Sequence, residues 1–386
     1  MFRKNKREST KKNLTGKRHK TQAGIAHDIP LRPMETKAIQ RSSRPVATWL
    51  LVGVGMLIIQ VLLGGITRLT GSGLSITEWK PIMGILPPMN EQDWHIAFEK
   101  YKQIAQYKYV NSHFSLGEFK FIFFWEWLHR LWARLIGVAF IIPFVIFIIQ
   151  KRIKKEMIRP LLILFLLGGL QGLVGWIMVK SGLEDSELIY VSHYKLAIHF
   201  ILALGVLCYA LWFAMQWLLK PASIVINKRY HSFMKGLTIM LVIQLIYGAF
   251  MAGLKAAPAA ATWPLINGEW LPGNIHSFGD RHYHGLSFLT DNPLVVHFIH
   301  RNLAFLLTIG IIIGWWKARG IESGSPFKWV KNLPLIIVLI QVLLGILTVL
   351  NATDTRSFLW LGVAHQFNAM ILLLSFTAIL FFARKS

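Results

Sequence analysis

The sequence predicts an all-α integral membrane protein with eight transmembrane helices, arranged as two parallel-repeat four-helix bundles. Three observations lead to this fold class: long apolar runs, the distribution of basic residues, and a glutamine–histidine pattern that recurs along the chain. The chain has 386 residues, 54% of them hydrophobic, and a mean hydropathy of +0.47. A soluble chain of this length would instead show shorter amphipathic patterns.

The apolar runs are long enough to cross a bilayer. A helix of roughly 20 apolar residues spans the hydrocarbon core. The runs are continuous rather than alternating, which argues against a membrane β-barrel. Eight runs are predicted to span the membrane: 46–67, 121–150, 160–179, 196–218, 236–254, 294–316, 333–350 and 359–383.

The basic residues indicate which side of the membrane holds the termini. If the N-terminus is cytoplasmic, the cytoplasmic segments contain 28 of the 42 Lys and Arg residues. This positive-inside bias predicts that both termini are cytoplasmic. Topology thus accounts for the net charge of +24, and we expect no nucleic-acid binding.

The N-terminal segment and the cysteine content bear on the cellular location. Residues 1–45 are basic and lack apolar periodicity, which predicts a disordered cytoplasmic tail. Its lysines outnumber its arginines, which favours a bacterial inner-membrane protein, although a mitochondrial targeting peptide would have a similar composition. The only cysteine, Cys208, excludes an intramolecular disulfide and a zinc knuckle.

Glutamine and histidine residues recur in step with the spans. The odd-numbered spans each contain Gln-x-x-x-Gly, starting at Gln60, Gln171, Gln244 and Gln341. The even-numbered spans each have a histidine near the external end, namely His129, His199, His300 and His365. The Gln-to-His separations are 69, 28, 56 and 24 residues, so long and short alternate. The chain therefore divides into two halves, 46–218 and 236–383. Because each half has four spans, the chain returns to the same side of the membrane, so the two repeats are parallel rather than inverted.

The matched histidines predict haem binding. A single histidine in a membrane helix is equally well explained by a hydrogen bond to a neighbouring helix. Four histidines at matched depth, two in each half, favour ligation of haem iron by imidazoles from opposite sides of the porphyrin. Each half would hold one haem in the outer leaflet, and the glycines would make room for the macrocycle. Zinc prefers tighter clusters that include cysteine or carboxylate.

Four arginines lie close to the proposed ligands in the sequence. They are Arg68, Arg130, Arg134 and Arg301. Arginine pairs with carboxylates in a bidentate manner, so these residues are predicted to bind the haem propionates. The alternative is that they extend to the outer membrane interface.

One carboxylate distinguishes the two halves. Glu126 precedes His129 by three residues and shares its helix face, whereas the matching residue before His300 is His297. An ionisable group in a membrane span is a functional candidate, so Glu126 is predicted to move a proton or stabilise a developing charge. The alternative is an ion pair with Arg130. The asymmetry predicts chemistry in one half and electron storage or transfer in the other.

Beyond residue 45, the chain resembles the haem A synthase family. The resemblance is most specific in GGITRLTGSGLSITEWKPIMGILPPM (64–89) and EFKFIFFWEWLHRLWARLIG (118–137), and continues in VSHYKLAIHF (191–200), FIHRNLAF (298–305) and VAHQFNAM (363–370). The long first external loop is similar to that of the larger, mitochondrial-type members. Some compact members have a cysteine pair in an external loop, which this chain lacks.

The resemblance implies a specific reaction. The family oxidises the C8 methyl group of haem O to a formyl group, by successive hydroxylation and loss of water, and so produces haem A for terminal oxidases. It implies that His300 and His365 bind haem b, and that His129 and His199 bind the substrate haem with Glu126 as a mechanistic residue. It also implies haem O synthase as a partner and an electron donor, which the sequence does not identify.

Two other functions are compatible with the pattern. A dihaem b-type cytochrome that passes electrons from quinol would use the same four histidines. A transporter would also have repeats and intramembrane charges, but usually has helices broken at mid-membrane. The histidines of the loop 255–294 (His276, His282 and His284) have no assigned role, and a metal site there is only weakly indicated.

Overall fold

The computed structural model describes residues 33–78, 83–183, 189–219, 223–273, 275–321 and 324–384. Its α-helices are α1 (Pro33–Leu69), α2 (Glu91–Tyr101), α3 (Leu116–Ile149), α4 (Lys155–Leu183), α5 (His193–Leu218), α6 (Lys228–Gly253), α7 (Gly285–Thr290), α8 (Pro293–Arg319), α9 (Ser325–Val330), α10 (Leu333–Leu350) and α11 (Thr355–Phe382). Short 3-10 helices lie at Met83–Ile85 and Ala257–Ala260, and a π-helical turn at Tyr107–Asn111.

Within these described ranges, eight helical segments are long and apolar enough to cross a membrane. They comprise α1 from Arg44 onward, α3, α4, α5, α6, α8, a segment that joins α9 to α10, and α11. The all-α membrane fold is therefore confirmed. Helix α1 begins at Pro33, inside the segment predicted to be a tail, and residues 1–32 of that prediction lie outside the described residues.

Two minimal sheets accompany the helices. Strand β1 (Val225–Ile226) pairs in parallel with β4 (Ala383–Arg384), so the chain end is held beside the start of α6. In the second external loop, β2 (Ser277–Phe278) pairs antiparallel with β3 (Arg281–His282).

Polar caps place the start of some helices before the apolar run that hydropathy detects. At α3, Ser115 and Glu118 form a capping box in which each side chain bonds the other residue's backbone N–H. This helix therefore begins at Leu116, five residues before the predicted apolar run. At α8, the side chain of Asn292 accepts from the N–H groups of Leu294 and Val295.

Residues 40–386 form one compact unit. Its main core cluster contains side chains from both predicted halves, for example Leu207 of α5, Leu241 of α6 and Phe376 of α11, all at most 2% exposed. The parallel-repeat relation between the halves stays a prediction.

The two predicted halves contact each other where a glycine of one half packs against a larger side chain of the other. Between α1 and α11, a Cβ atom added at Gly362 would lie 2.9 Å from Leu69 Cδ1. Between α5 and α6, a Cβ atom added at Gly253 would lie 3.4 Å from Leu196 Cδ2. These contacts allow the helices to approach closely.

The loop between α1 and α3, predicted to be the first external loop, packs on the N-terminal end of α3 through aromatic residues. Phe98 of α2 stacks on Phe119 with ring centroids 5.0 Å apart. Tyr101 is fully buried beside them, its hydroxyl donates to Gln106 Oε1 and accepts from Asn111 Nδ2, and burial raises its pKa to about 12. This packing fixes the loop above the proposed N-terminal site.

Candidate functional site

The two histidines of the C-terminal half face each other. His300 of α8 and His365 of α11 have ring centroids 6.4 Å apart and ring planes inclined at 69°. Metal–imidazole nitrogen bonds of about 2 Å, with about 1 Å more to each ring centre, place the centroids of two opposed ligands about 6 Å apart. The Nδ1 atom of His300 is buried and has no hydrogen-bond partner within the described residues. His300 and His365 are therefore the residues that would hold a haem iron between their rings in this half.

In the N-terminal half, His129 of α3 interacts electrostatically with His199 of α5. The structure therefore shows a ring-to-ring pair for His300 and His365, and a longer-range interaction between His129 and His199.

Each histidine is contacted by the glutamine that the sequence pairs with it. Gln60 Nε2 lies 3.3 and 3.2 Å from Nδ1 and Nε2 of His129, and Gln341 Nε2 lies 3.2 and 3.1 Å from the same atoms of His365.

In the other two pairs the glutamine also reaches the histidine backbone. Gln171 Nε2 donates to the carbonyl oxygen of His199 at 2.9 Å, and Gln244 Nε2 donates to that of His300 at 3.0 Å. The amides thus bond across the helix interfaces, as the Gln-x-x-x-Gly pattern predicts.

The glycines of the same motif face the imidazoles. A Cβ atom added at each would fall close to the ring: Gly64 against His129, Gly175 against His199, Gly248 against His300 and Gly345 against His365. The sequence predicted that these glycines make room for the porphyrin. In the structure, the imidazole ring of the paired histidine fills the space beside each glycine.

Glu126 is buried and accepts three hydrogen bonds. Its Oε2 accepts from Ser75 Oγ at 2.6 Å and from the Ile76 N–H at 2.8 Å. Its Oε1 accepts from Arg130 at 2.5 Å. The ion pair between Glu126 and Arg130, which was the alternative explanation for this carboxylate, is therefore present. A mechanistic role for Glu126 stays a prediction.

The two loop residues that donate to Glu126, Ser75 and Ile76, were not predicted because they lie about 50 residues from it in the chain. The chain turns back at the end of α1 through Gly71, whose φ of +70° is in the left-handed region that favours glycine. The following N–H, from Ser72, bonds the carbonyl of Thr67 at 2.9 Å. This turn returns Ser75 to α3, and the Gly-, Ser- and Thr-rich stretch TGSGLS at 70–75 is the sequence signal for it.

The matching position in the C-terminal half holds a different pair. His297 is fully buried, and its Nε2 accepts from Arg301 Nε at 3.1 Å. Since guanidinium only donates, the proton of a neutral His297 is on Nδ1. That atom has no hydrogen-bond partner among the residues that the structure describes.

The predicted propionate-binding arginines bond backbone carbonyls. Arg68 donates to the carbonyls of Ala252 and Gly253 at the end of α6, where a cation also complements the helix dipole. Arg130 donates to the Ile76 carbonyl at 3.2 Å. These contacts give both residues a structural role.

Arg301 and Arg134 complete the set. Arg301 donates to the carbonyls of Ala260, Thr262 and Leu265, and so holds the second external loop. Arg134 is half-buried one turn beyond Arg130 on α3. Binding of propionates by the four arginines stays a prediction, and the buried Nε of Arg68, which bonds no described residue, is one donor that fits it.

The loop histidines are separate from both pairs. His276 stacks on Phe288 with centroids 4.7 Å apart, His282 lies in β3, and His284 is the cap residue of α7. Within the described ranges, no group of three or more His, Cys, Asp or Glu could hold a metal ion.

The fold and the site together define a multi-pass membrane protein with a facing imidazole pair in its C-terminal half and, in both halves, buried histidines contacted by glutamine and glycine from neighbouring spans. A family model described as COX15-CtaA, cytochrome oxidase assembly protein, matches residues 47–377. The chain belongs to this family.

Curated relatives align over most of the chain. A heme A synthase of Parvibaculum lavamentivorans is 40% identical over 331 residues, which cover 84% of this chain and 90% of the relative. One of Paramagnetospirillum magneticum is 41% identical over 337 residues, covering 86% and 91%. One of Beijerinckia indica is 43% identical over 349 residues, covering 88% and 92%. All three are bacterial proteins named for the same activity.

Proposed function

We propose that this protein is an enzyme of haem biosynthesis that oxidises the C8 methyl group of haem O to the formyl group of haem A. The observation that supports this most strongly is the pair of imidazoles in the C-terminal half, His300 and His365, whose ring centroids lie 6.4 Å apart. The named activity of relatives that align over most of the chain agrees with it.

The two pairs have different tasks in this proposal. His300 and His365 hold haem b, which supplies reversible one-electron chemistry when bound. His129 and His199 hold the iron of the substrate and so fix the orientation of its porphyrin. Because only the N-terminal pair has a carboxylate beside it, we assign the oxidation to that half.

Glu126 positions or moves a proton next to the substrate. Its two oxygens are oriented by Ser75, Ile76 and Arg130, so the carboxylate is held in one rotamer on the face of α3 that also presents His129. Arg130 stabilises the anionic form of the carboxylate by a charge-assisted hydrogen bond. Glu126 Oε1, which Arg130 contacts, is the atom at which we place the exchanged proton.

The surroundings of the reaction follow from the topology. We place both termini in the cytoplasm of a bacterial cell and both sites near the outer face of the inner membrane, in accord with the distribution of basic residues. Haem O has a long apolar tail that membrane lipid can accommodate. A haem O synthase would supply the substrate. Each hydroxylation of the methyl group would consume an oxidant of the dioxygen class together with electrons from a donor that we do not identify, and loss of water from the twice-hydroxylated carbon would leave the formyl group.

Pigment analysis tests the proposal. The protein is co-expressed in a host that makes haem O but not haem A, and acid–acetone extracts are separated by chromatography. We expect haem A to appear only with this protein and to disappear with His129→Ala. Extracts that contain only haems B and O, from cells in which the protein itself has a b-type spectrum, would identify a dihaem cytochrome instead.

A further inference from the structure

The four motif glycines contact the same edge of the four imidazoles. The nearest ring atom to an added Cβ is always Cε1, at 3.1 Å for Gly64, 2.8 Å for Gly175, 3.3 Å for Gly248 and 3.0 Å for Gly345. The next nearest atom is always Nδ1, at 3.7, 3.4, 3.9 and 3.6 Å in the same order. Nε2 lies at 3.9 Å for Gly64, 3.5 Å for Gly175 and 4.0 Å for Gly345, and beyond 4 Å for Gly248, so Cε1 is the ring atom that each glycine faces.

This ordering has a direct steric meaning. A methyl group closer than about 3.4 Å to a ring carbon meets repulsion rather than van der Waals attraction, since optimal carbon separations are about 3.5–4.0 Å. Any side chain at these positions would therefore turn or push the imidazole away from its helix. Hydrogen is the only substituent that lets the Cε1–Nδ1 edge lie against the neighbouring backbone.

We infer that Gly64, Gly175, Gly248 and Gly345 are positioning residues that fix the rotation of the four histidines proposed to bind haem. The inference rests on the proposed haem ligation and goes beyond it, because it assigns the residues that set the orientation of each imidazole. The same contact recurs in all four pairs, although the connecting loops and the helices' other neighbours differ.

The chain supplies matched controls on the same helices. Gly55 on α1, Gly172 on α4 and Gly236 on α6 have no atom within 4 Å of an added Cβ. Alanine is the better helix former at any interior helical position. Glycine-to-alanine changes at the control sites should therefore be neutral or stabilising, and a loss confined to the motif sites cannot arise from helix propensity.

The C-terminal site gives the first test. Protein purified with its haem b is compared as wild type, Gly345→Ala, Gly248→Ala and Gly236→Ala. The readouts are haem b content, the low-spin EPR g-values and the midpoint potential. We expect Gly345→Ala to weaken haem retention about ten-fold or more, the size of effect seen when groups that orient metal-ligating histidines are lost. Gly248→Ala should shift the g-values, and Gly236→Ala should match the wild type.

The N-terminal site gives the converse test, and each site serves as the folding control for the other. Gly64→Ala and Gly175→Ala should lose binding of added haem to the N-terminal site while they keep the haem b spectrum of the C-terminal site. Gly55→Ala and Gly172→Ala should keep both. A variant that loses both spectra has misfolded. In that case Gly248→Ala decides the test, because its added methyl group would lie 3.3 Å from His300 Cε1 and would displace the ring least.

The outcomes separate this inference from the proposed function. A wild-type protein without a bis-histidine haem spectrum would overturn the function itself. A wild-type spectrum that persists unchanged in Gly248→Ala and Gly345→Ala would leave the function intact and overturn the positioning role of the glycines.

Discussion

Replacing Glu126 separates its structural role from its chemical one. In Glu126→Ala, Ser75 and Ile76 lose their acceptor and Arg130 loses its ion pair. The carboxylate is 2% exposed, and removing one partner of a buried ion pair costs about 3–5 kcal/mol. We therefore expect this variant to detach the segment 70–76 from α3 and to melt at a lower temperature in detergent.

Glu126→Gln is the informative counterpart. Its amide oxygen still accepts from Ser75 and Ile76, so only the charged contact with Arg130 is lost, at a cost of about 1.5–3 kcal/mol. General acid–base groups contribute about 10²- to 10⁴-fold to rates. If Glu126 exchanges a proton during the reaction, Glu126→Gln lowers haem A formation by that factor although the protein is folded.

The assay measures haem A formed per mole of retained haem b, together with the melting temperature. The expected pattern is a stable Glu126→Gln protein that retains haem b and makes almost no haem A. Haem A formation within three-fold of wild type in this variant would refute the proton-transfer argument and leave Glu126 as an anchor for the loop.

Three further predictions concern other contacts. Alanine at His300 or His365 should remove or weaken the low-spin bis-histidine spectrum, and an unchanged spectrum in both variants would refute the assignment of ligands. Arg301→Ala should free the second external loop and increase its cleavage in limited proteolysis. Arg301→Lys should not restore protection, because a single ammonium group cannot reach the same carbonyls. Equal protection in the wild type and in both variants would contradict this prediction. At the start of α11, hydrogen bonds from Ser357 lower the pKa of the Asp354 carboxyl, so this cap stabilises the helix above the unfolded pKa and is lost as pH falls through the lower folded pKa. The melting temperature of Asp354→Asn should therefore depend less on pH between about pH 2 and 5 than that of wild type, and identical profiles would show that the cap does not contribute.

The fold was accessible from the sequence because hydropathy alone selects membrane spans. All eight were found in the right order, and the histidines fall into the expected pairs. The residues at which the helices begin could not be predicted from hydropathy in the same way. Helix α3 starts before its apolar run because the pair Ser115 and Glu118 caps it, and a window of hydropathy values does not register such a cap.

The meeting of His300 and His365 was predictable from residue type and spacing, and their role as ligands stays a prediction. The surroundings were less predictable, because which group a side chain meets depends on helix rotation and on loop paths. Arg301 was assigned to a propionate and in the structure binds three loop carbonyls. The contact of Ser75 with Glu126 joins residues 51 positions apart, and no local pattern encodes that pairing.

The contacts between the predicted halves have a consequence for their independence. Leu69 faces Gly362 at one junction, and Gly253 faces His193 and Leu196 at the other, so at both junctions the first half supplies the bulky residue and the second half supplies the glycine. With the predicted repeat relation between the halves, a homodimer of the first half would set leucine against leucine, and a homodimer of the second would leave a void between two glycines. Each half is therefore sterically complementary to the other and not to itself, so separating or doubling either one would disrupt the assembly that holds both imidazole pairs.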